Sequence, residues 1–420
     1  MDPRLNLSGS LTDGSVSVGW LHRAQAWLHE SCGATLVGSE IRDVDAGVTA
    51  LCFGLHPTAQ DVLLRAWEHS RITAVASTWR TGAGYHAHVC EVLRDLSDAL
   101  ALAWDPPDGD PDDRDSTGYF QSSDRAALEE AMLECLRRNA QLTLERLTGG
   151  DTALALALPT EHQFEFDGAV ATPMGPRDRN WLQRVTEDPR QGIDVFSWWE
   201  PGRGATYRLG RALAEMWTSV RWRPPETAEE AAQLQRILAW LQSAHLRDPA
   251  LDYPWREWEE LRGYLDEADP VPSHARRPTG PLVGYRRRKV RVRLDNGWSI
   301  SIPGSFAESR EGDGTYCAWG DGKTVWFTSL EDTSAENAPP AMELLPGLDT
   351  GERPIEIPAL AERFAVRAGV VDYSEERQRL HKLNARVALP GRLVLFTLVY
   401  DRPEKEAWAI ETLESVQHDE

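Results

Sequence analysis

Trp79-Arg80-Thr81-Gly82-Ala83-Gly84 and Trp199-Glu200-Pro201-Gly202-Arg203-Gly204 share one pattern, Trp-x-x-Gly-x-Gly. Each follows a short apolar run and precedes a helical stripe that leads to another tryptophan, Trp104 or Trp222. Upstream, Thr49-Ala-Leu51 and Thr152-Ala-Leu154 each open a short apolar segment that closes on Pro-Thr, at Pro57-Thr58 and Pro159-Thr160. The offset between the copies is larger at the Gly loops than at these segments, which places an insertion between Glu161 and Arg179. The reading is an α/β (α+β) chain that begins with tandem duplicated β-α-β-α-β units, over 1–115 and 116–225.

Working outward, periodicity assigns the elements. Trp20, Leu21, Ala24, Trp27 and Leu28 recur at helical spacing over 19–30. Strands are expected at 35–41, 48–55 and 72–78, with a helix over 57–69 between the last two. Val89, Val92, Leu93, Leu96 and Leu100 mark a helix after the first Gly loop, and 102–104 closes the unit. In the second unit, helices are expected over 123–147, 180–185 and 207–220, and strands over 152–158, 164–170 and 193–199.

Past Pro224-Pro225 the pattern changes. Residues 226–270 read as a helical hairpin, with Leu234, Ile237, Leu238 and Leu241 on one face and Trp255 and Trp258 on the other arm. The hairpin is similar to one pair of tetratricopeptide-repeat helices; one pair makes no solenoid, so it is expected to pack on the preceding repeats.

A Pro-rich linker over 268–284 leads to a last domain, 283–420. There Lys289–Leu294 alternates strictly, Asp295-Asn296-Gly297 is a hairpin turn signal, and 298–302, 324–329 and 393–400 read as strands. Helices are expected at 359–368 and 407–416. This gives a C-terminal antiparallel sheet with flanking helices. Trp298-Ser-Ile-Ser-Ile-Pro-Gly-Ser-Phe306, Thr324-Val-Trp-Phe-Thr-Ser329, Leu393–Tyr400 and Trp408 with Thr412–Val416 resemble the Mog1/PsbP-like α/β sandwich group. That resemblance covers about a third of the chain and implies a binding or adaptor domain without catalysis.

Composition bounds the function. The chain has 420 residues, 41% apolar and 26% charged, as soluble multidomain proteins do. A net charge of −21 repels nucleic acid and anionic membranes and favours a basic partner. No apolar run approaches the ~20 residues of a membrane helix. The opening Met-Asp-Pro-Arg-Leu-Asn-Leu lacks the pattern of a signal peptide, so a cytoplasmic location is expected. Five scattered cysteines without a Cys-x-x-Cys pair read as buried thiols. There are 17 Trp against 9 Phe and 9 Tyr, and Trp anchors many binding surfaces.

Candidate sites are few. Gly loops before helices can present free N–H groups to an anion, so Trp79, Gly82, Gly84, Trp199, Gly202, Arg203 and Gly204 frame a candidate anion or partner cleft between the two units. Neither loop carries the third glycine of a dinucleotide fingerprint or the Lys-Ser/Thr of a P-loop. His86 and His88 diverge by about 200° on a helix, which argues against a shared metal. The acidic run from Asp105 to Asp115 lacks the order of a calcium loop. No catalytic motif is present, and no cofactor or metal is expected. Arg287, Lys289, Arg291 and Arg293 form a candidate basic docking strand, expected to bind the acidic first half or an acidic partner. The expected function is a non-enzymatic, protein-binding role of adaptor or immunity type, through an acidic, Trp-rich surface. The alternative is an enzyme with an anion or nucleotide cleft between the Gly loops.

Overall fold

The computed structural model describes residues 2–12, 17–45, 48–68, 70–106, 114–159, 161–266, 282–311, 314–331, 339–375 and 378–419. Most of the acidic run after Asp105, most of the linker over 268–284, and Arg276 and Arg277 lie outside them. The fold is mixed α+β with four antiparallel sheets. The chain divides into two compact units: Met1–Pro159, Glu165–Val220 and Pro224–Gly284 form the first, and Thr160–Phe164, Arg221–Arg223 and Tyr285–Glu420 form the second. No described helix is long and apolar enough to cross a membrane.

The first unit opens with β1 (Arg4–Leu11), α1 (Ser17–Cys32), β2 (Gly38–Asp45), β3 (Val48–Gly54), β4 (Val62–Trp67), β5 (Arg71–Ser77), α2 (Ala83–Ala99) and β6 (Leu102–Trp104). The strands form one sheet in the order β2-β3-β4-β5-β1-β6. β1 lies antiparallel to both β5 and β6, so β5–α2–β6 is a crossover with the N-terminal strand inserted between its two strands. Alternation in β1 buries Leu5, Leu7 and Leu11. On α1, Trp20, Leu21, Ala24 and Leu28 are fully buried, and the Trp20 indole donates to Leu100 O at 2.9 Å.

The helix expected over 57–69 is not formed; β4 occupies that stretch. A short run such as Val62-Leu-Leu-Arg-Ala-Trp67 fits either period. Pairing with β3 and β5 settles it as a strand, with Val62, Leu64 and Ala66 turned inward.

The second repeat is not formed either. Residues 116–225 contain α3 (Tyr119–Ser122), α4 (Arg125–Thr148), α5 (Arg179–Glu187) and α6 (Ala205–Thr218). Their strands are two residues long, β8 (Ala169–Val170) and β9 (Arg177–Asp178); β7 (His162–Gln163) belongs to the second unit. Thr152–Leu158 alternates, and Leu154, Leu156 and Leu158 are buried. It makes only an isolated bridge, Ala155 to Ala171, and Ala157 at φ 62 breaks the extended run. The strand expected over 193–199 starts instead as a 3₁₀ turn, Pro189–Val195, capped by Asp188 accepting from Arg190 N at 3.1 Å. The first half of the chain is thus one sheet unit extended by helices. The hairpin follows as α7 (Ala228–Arg247) and α8 (Trp255–Tyr264), with α7 packed on α6.

Asp124 caps the long α4, accepting from Ala126 N at 3.0 Å and Ala127 N at 3.1 Å. Asp124→Ala should lower the stability of this unit by about 1 kcal/mol in urea unfolding.

In the second unit β10 (Lys289–Arg293) and β11 (Trp298–Pro303) form the expected hairpin; Asn296 at φ 56 and Gly297 at φ 78 make its turn. Further strands are β12 (Ala307–Arg310), β13 (Tyr316–Gly320), β14 (Lys323–Glu331), β15 (Arg353–Ile355), β16 (Ala365–Glu375), β17 (Gln378–Leu389), β18 (Arg392–Tyr400) and β19 (Gln417–His418). They build a four-stranded sheet, β19-β11-β10-β7, and a seven-stranded sheet, β12-β13-β14-β18-β17-β16-β15. Short helices α9 (Ala341–Leu344) and α10 (Pro358–Ala361) precede β16, and α11 (Glu406–Glu414) touches β11, β17 and β18, lying against both sheets. The helix expected over 359–368 stops at Ala361, and β16 begins at Ala365.

Glu308 on β12 is the polar centre of this unit. Its carboxylate pairs with Arg286 at 2.5 Å and His162 at 2.9 Å and accepts from Tyr316 Oη at 2.9 Å. Burial alone would raise the carboxyl; bonds and charge from His162 and Arg286 outweigh it and hold it well below the usual carboxylate range.

Candidate functional site

The two Trp-x-x-Gly-x-Gly segments are not equivalent corners of a duplicated fold. They meet inside the first unit. Trp198 N donates to Thr81 O at 3.0 Å, and Gly84 N donates to Trp198 O at 3.1 Å. The Trp198 indole then donates to Gly202 O at 3.0 Å, folding the second loop over its own ring. From α4, the Arg125 guanidinium donates to Trp199 O and to Glu129.

This junction explains the glycines. Gly82 sits at φ 112, ψ 175, a region open only to glycine, and any Cβ there would meet Trp198 O at 2.6 Å. A Cβ on Gly84 would meet Glu200 O at 2.4 Å. The carbonyl of Trp198 therefore occupies the N-terminus of α2, where the sequence placed an anion. Gly202 and Gly204 are exposed, and Arg203 between them is exposed as well.

Beside the junction lies a cavity of about 570 Å³, lined wholly by residues of the first unit. Its walls include Trp27 and Cys32 of α1, Gly84, His88, Glu91 and Asp95 of α2, Tyr119, Arg125, Trp198, Gly202 and Arg203. Helical spacing on α2 sets His88, Glu91 and Asp95 on one face. The His88 ring lies 5.0 Å from Trp198, with Nε2 3.4 Å from Thr35 Oγ1 and Nδ1 3.8 Å from Glu91. The neighbouring His88 ring, more than the charges of Arg94 and Arg203, lowers the Glu91 carboxyl. Burial raises the Cys32 thiol, Arg203 offsetting part of this, so Cys32 stays protonated and is not an activated nucleophile.

Of the residues expected from sequence, Gly84, Gly202 and Arg203 line the cavity. Gly82 and Trp79 are buried beneath the first loop, Trp199 stacks on Phe196 at 5.3 Å, and Gly204 caps α6. Sequence reasoning missed Trp27, Cys32, Glu91, Asp95, Tyr119, Arg125 and Trp198. The doubled Trp198-Trp199 was the available signal for the last of these.

Of the basic residues, Lys289, Arg291 and Arg293 lie on β10, whereas Arg287 precedes it in a 3₁₀ turn, Tyr285–Arg287. Lys289 pairs with Glu411 at 2.5 Å, Arg291 donates to Ser415 O at 3.0 Å, and Arg287 lies 3.6 Å over the Trp222 ring. The Gln163 amide, oriented with its oxygen toward Arg293, accepts from Nε at 2.9 Å and Nη2 at 2.8 Å. These contacts all lie inside the second unit. Of the 17 tryptophans, Trp67 is exposed and the others are buried or half-buried.

No family model matches the chain, and no curated protein matches it. A crystal structure of a protein from Bacteroides thetaiotaomicron aligns at a TM-score of 0.24 and 10% identity, over 30% of this chain and 46% of that one. The chain thus spans less than half the length of that protein.

Proposed function

We propose that the protein binds a small organic ligand in the cavity where the two Trp-x-x-Gly-x-Gly segments meet. The cavity itself carries this reading. Its volume falls within the range of ligand pockets, and its walls are shared about equally between apolar and polar groups. Trp27, Tyr119 and Trp198 favour a flat, aromatic body. Glu91, Asp95 and Arg203 in its walls favour a ligand carrying both charge signs. The protonated Cys32 supports binding rather than covalent chemistry.

A second reading is a protein-binding role of adaptor or immunity type toward a basic partner in the cytoplasm. Its support is the net charge of −21 and the resemblance of the C-terminal third to the Mog1/PsbP-like group.

The test is thermal-shift screening with aromatic zwitterions, aromatic amines and aromatic carboxylates. Zwitterions should stabilise the wild type most. Ala87→Trp, which fills the cavity, should abolish the shift in a folded protein. Arg203→Glu should weaken binding of ligands bearing a carboxylate by about tenfold, some 1.4 kcal/mol. Equal shifts in wild type and Ala87→Trp contradict the cavity reading, and a basic protein that binds Ala87→Trp as it binds wild type supports the second.

A further inference from the structure

His86 and His88 point to different sides of α2. His88 lines the cavity, whereas His86 is fully buried beside Cys90 and Asp115. We propose that His86, Cys90 and Asp115 form a structural binding site for a divalent transition metal ion of the zinc class. One donor atom from each lies within 4.8 Å of the other two, and all three residues are buried.

Several features fit such an ion. His86 Nε2 and Asp115 Oδ2 are 3.3 Å apart, the edge expected between two tetrahedral ligands at about 2.0 Å from zinc. His86 Nδ1 lies 2.7 Å from Thr78 Oγ1, the outer-shell contact that orients a ligating imidazole and leaves Nε2 for the metal. Asp115 is held by two backbone donors, Thr117 N at 2.8 Å and Phe120 N at 2.7 Å. Cys90 follows His86 by one helical turn, is buried and forms no disulfide. Thr117 Oγ1 lies 3.1 Å from His86 Nε2 and donates to Asp115 Oδ2 at 3.0 Å. A thiolate and a carboxylate neutralise a dication, so the filled site adds no net charge to the interior. The ion would tie the end of β5, through Thr78, to α2 and the segment leading into α3.

The competing arrangement is a hydrogen-bonded cluster in which His86 donates from Nε2 to Asp115. Metal content separates the two. The untagged full chain is grown with added Zn²⁺ or Co²⁺, passed over a chelating resin, and analysed by mass spectrometry for metals. The proposal expects about one ion per chain, and a thiolate-to-cobalt absorption band in the Co²⁺ form. Cys90→Ser and Asp115→Asn should lose at least about tenfold in occupancy while keeping their circular dichroism, and Thr78→Val should bind about tenfold more weakly. Less than about 0.1 ion per wild-type chain, or full occupancy in both Cys90→Ser and Asp115→Asn, overturns the site. Where those variants fail to fold, the wild-type Co²⁺ spectrum decides: the band supports the site, and its absence overturns it.

Discussion

Glu308→Gln should destabilise the second unit by about 3–5 kcal/mol at neutral pH. Arg286 is only 4% exposed, so removing its carboxylate leaves a buried guanidinium with its charge uncompensated. His162 and Tyr316 lose their shared acceptor at the same time. The pH dependence follows from the direction of the shift. Glu308 is held below its unfolded value, so its contribution is complete above that value and is lost as pH falls through the folded one. The gap between wild type and Glu308→Gln should therefore be widest at neutral pH and should narrow below about pH 4. Hydrogen exchange of the β10 and β11 amides reads this unit alone. Equal protection at pH 7, or a gap that widens toward acid, would contradict the assignment.

Gly84→Ala should cost about 3 kcal/mol. Its Cβ would lie 2.4 Å from Glu200 O and 2.5 Å from the Trp198 ring, so the loops must separate and two backbone bonds must stretch. Gly204→Ala is the control. Gly204 has φ −73 and open space around it, so the change should stay within about 0.5 kcal/mol. Gly202→Ala should fall between them, because its φ of 76 strains an alanine by about 1–2 kcal/mol although nothing crowds it. Urea unfolding of the three variants gives the order. A Gly204→Ala cost equal to that of Gly84→Ala would mean that the glycines serve only as flexible turns.

The sequence pattern located the two loops, but their relation was legible only in part. Long stripes such as those of α2, α4 and α7 declare a helix through many repeats of one period. Short apolar runs do not, which is why β4 read as a helix and 152–158 as a strand. β1 was overlooked although Leu5, Leu7 and Leu11 alternate; its place between β5 and β6 depends on pairing far along the chain. The likeness of the two Gly segments was read as repetition, yet their spacing reflects contact. Gly82 and Gly84 make room for the 196–200 backbone, a requirement set by a partner more than a hundred residues away. The cavity groups were hidden for the same reason. Trp27, Glu91, Asp95 and Arg125 read as ordinary helix residues until three helices bring them to one place. His86 and His88 were the exception: their divergence on a helix was correct, and each proved to belong to a separate cluster.

Binding in the cavity beside the paired loops is tested most directly by the indole N–H spectrum of ¹⁵N-tryptophan-labelled protein during titration with the zwitterion that stabilises it most. Trp27 and Trp198 should shift together and saturate together, Trp298 and Trp408 should stay still, and Ala87→Trp should show no response at Trp27 or Trp198. Shifts centred on Trp298 or Trp408, or an unchanged Trp27 and Trp198 in the presence of a ligand that raises the melting temperature, would contradict the account.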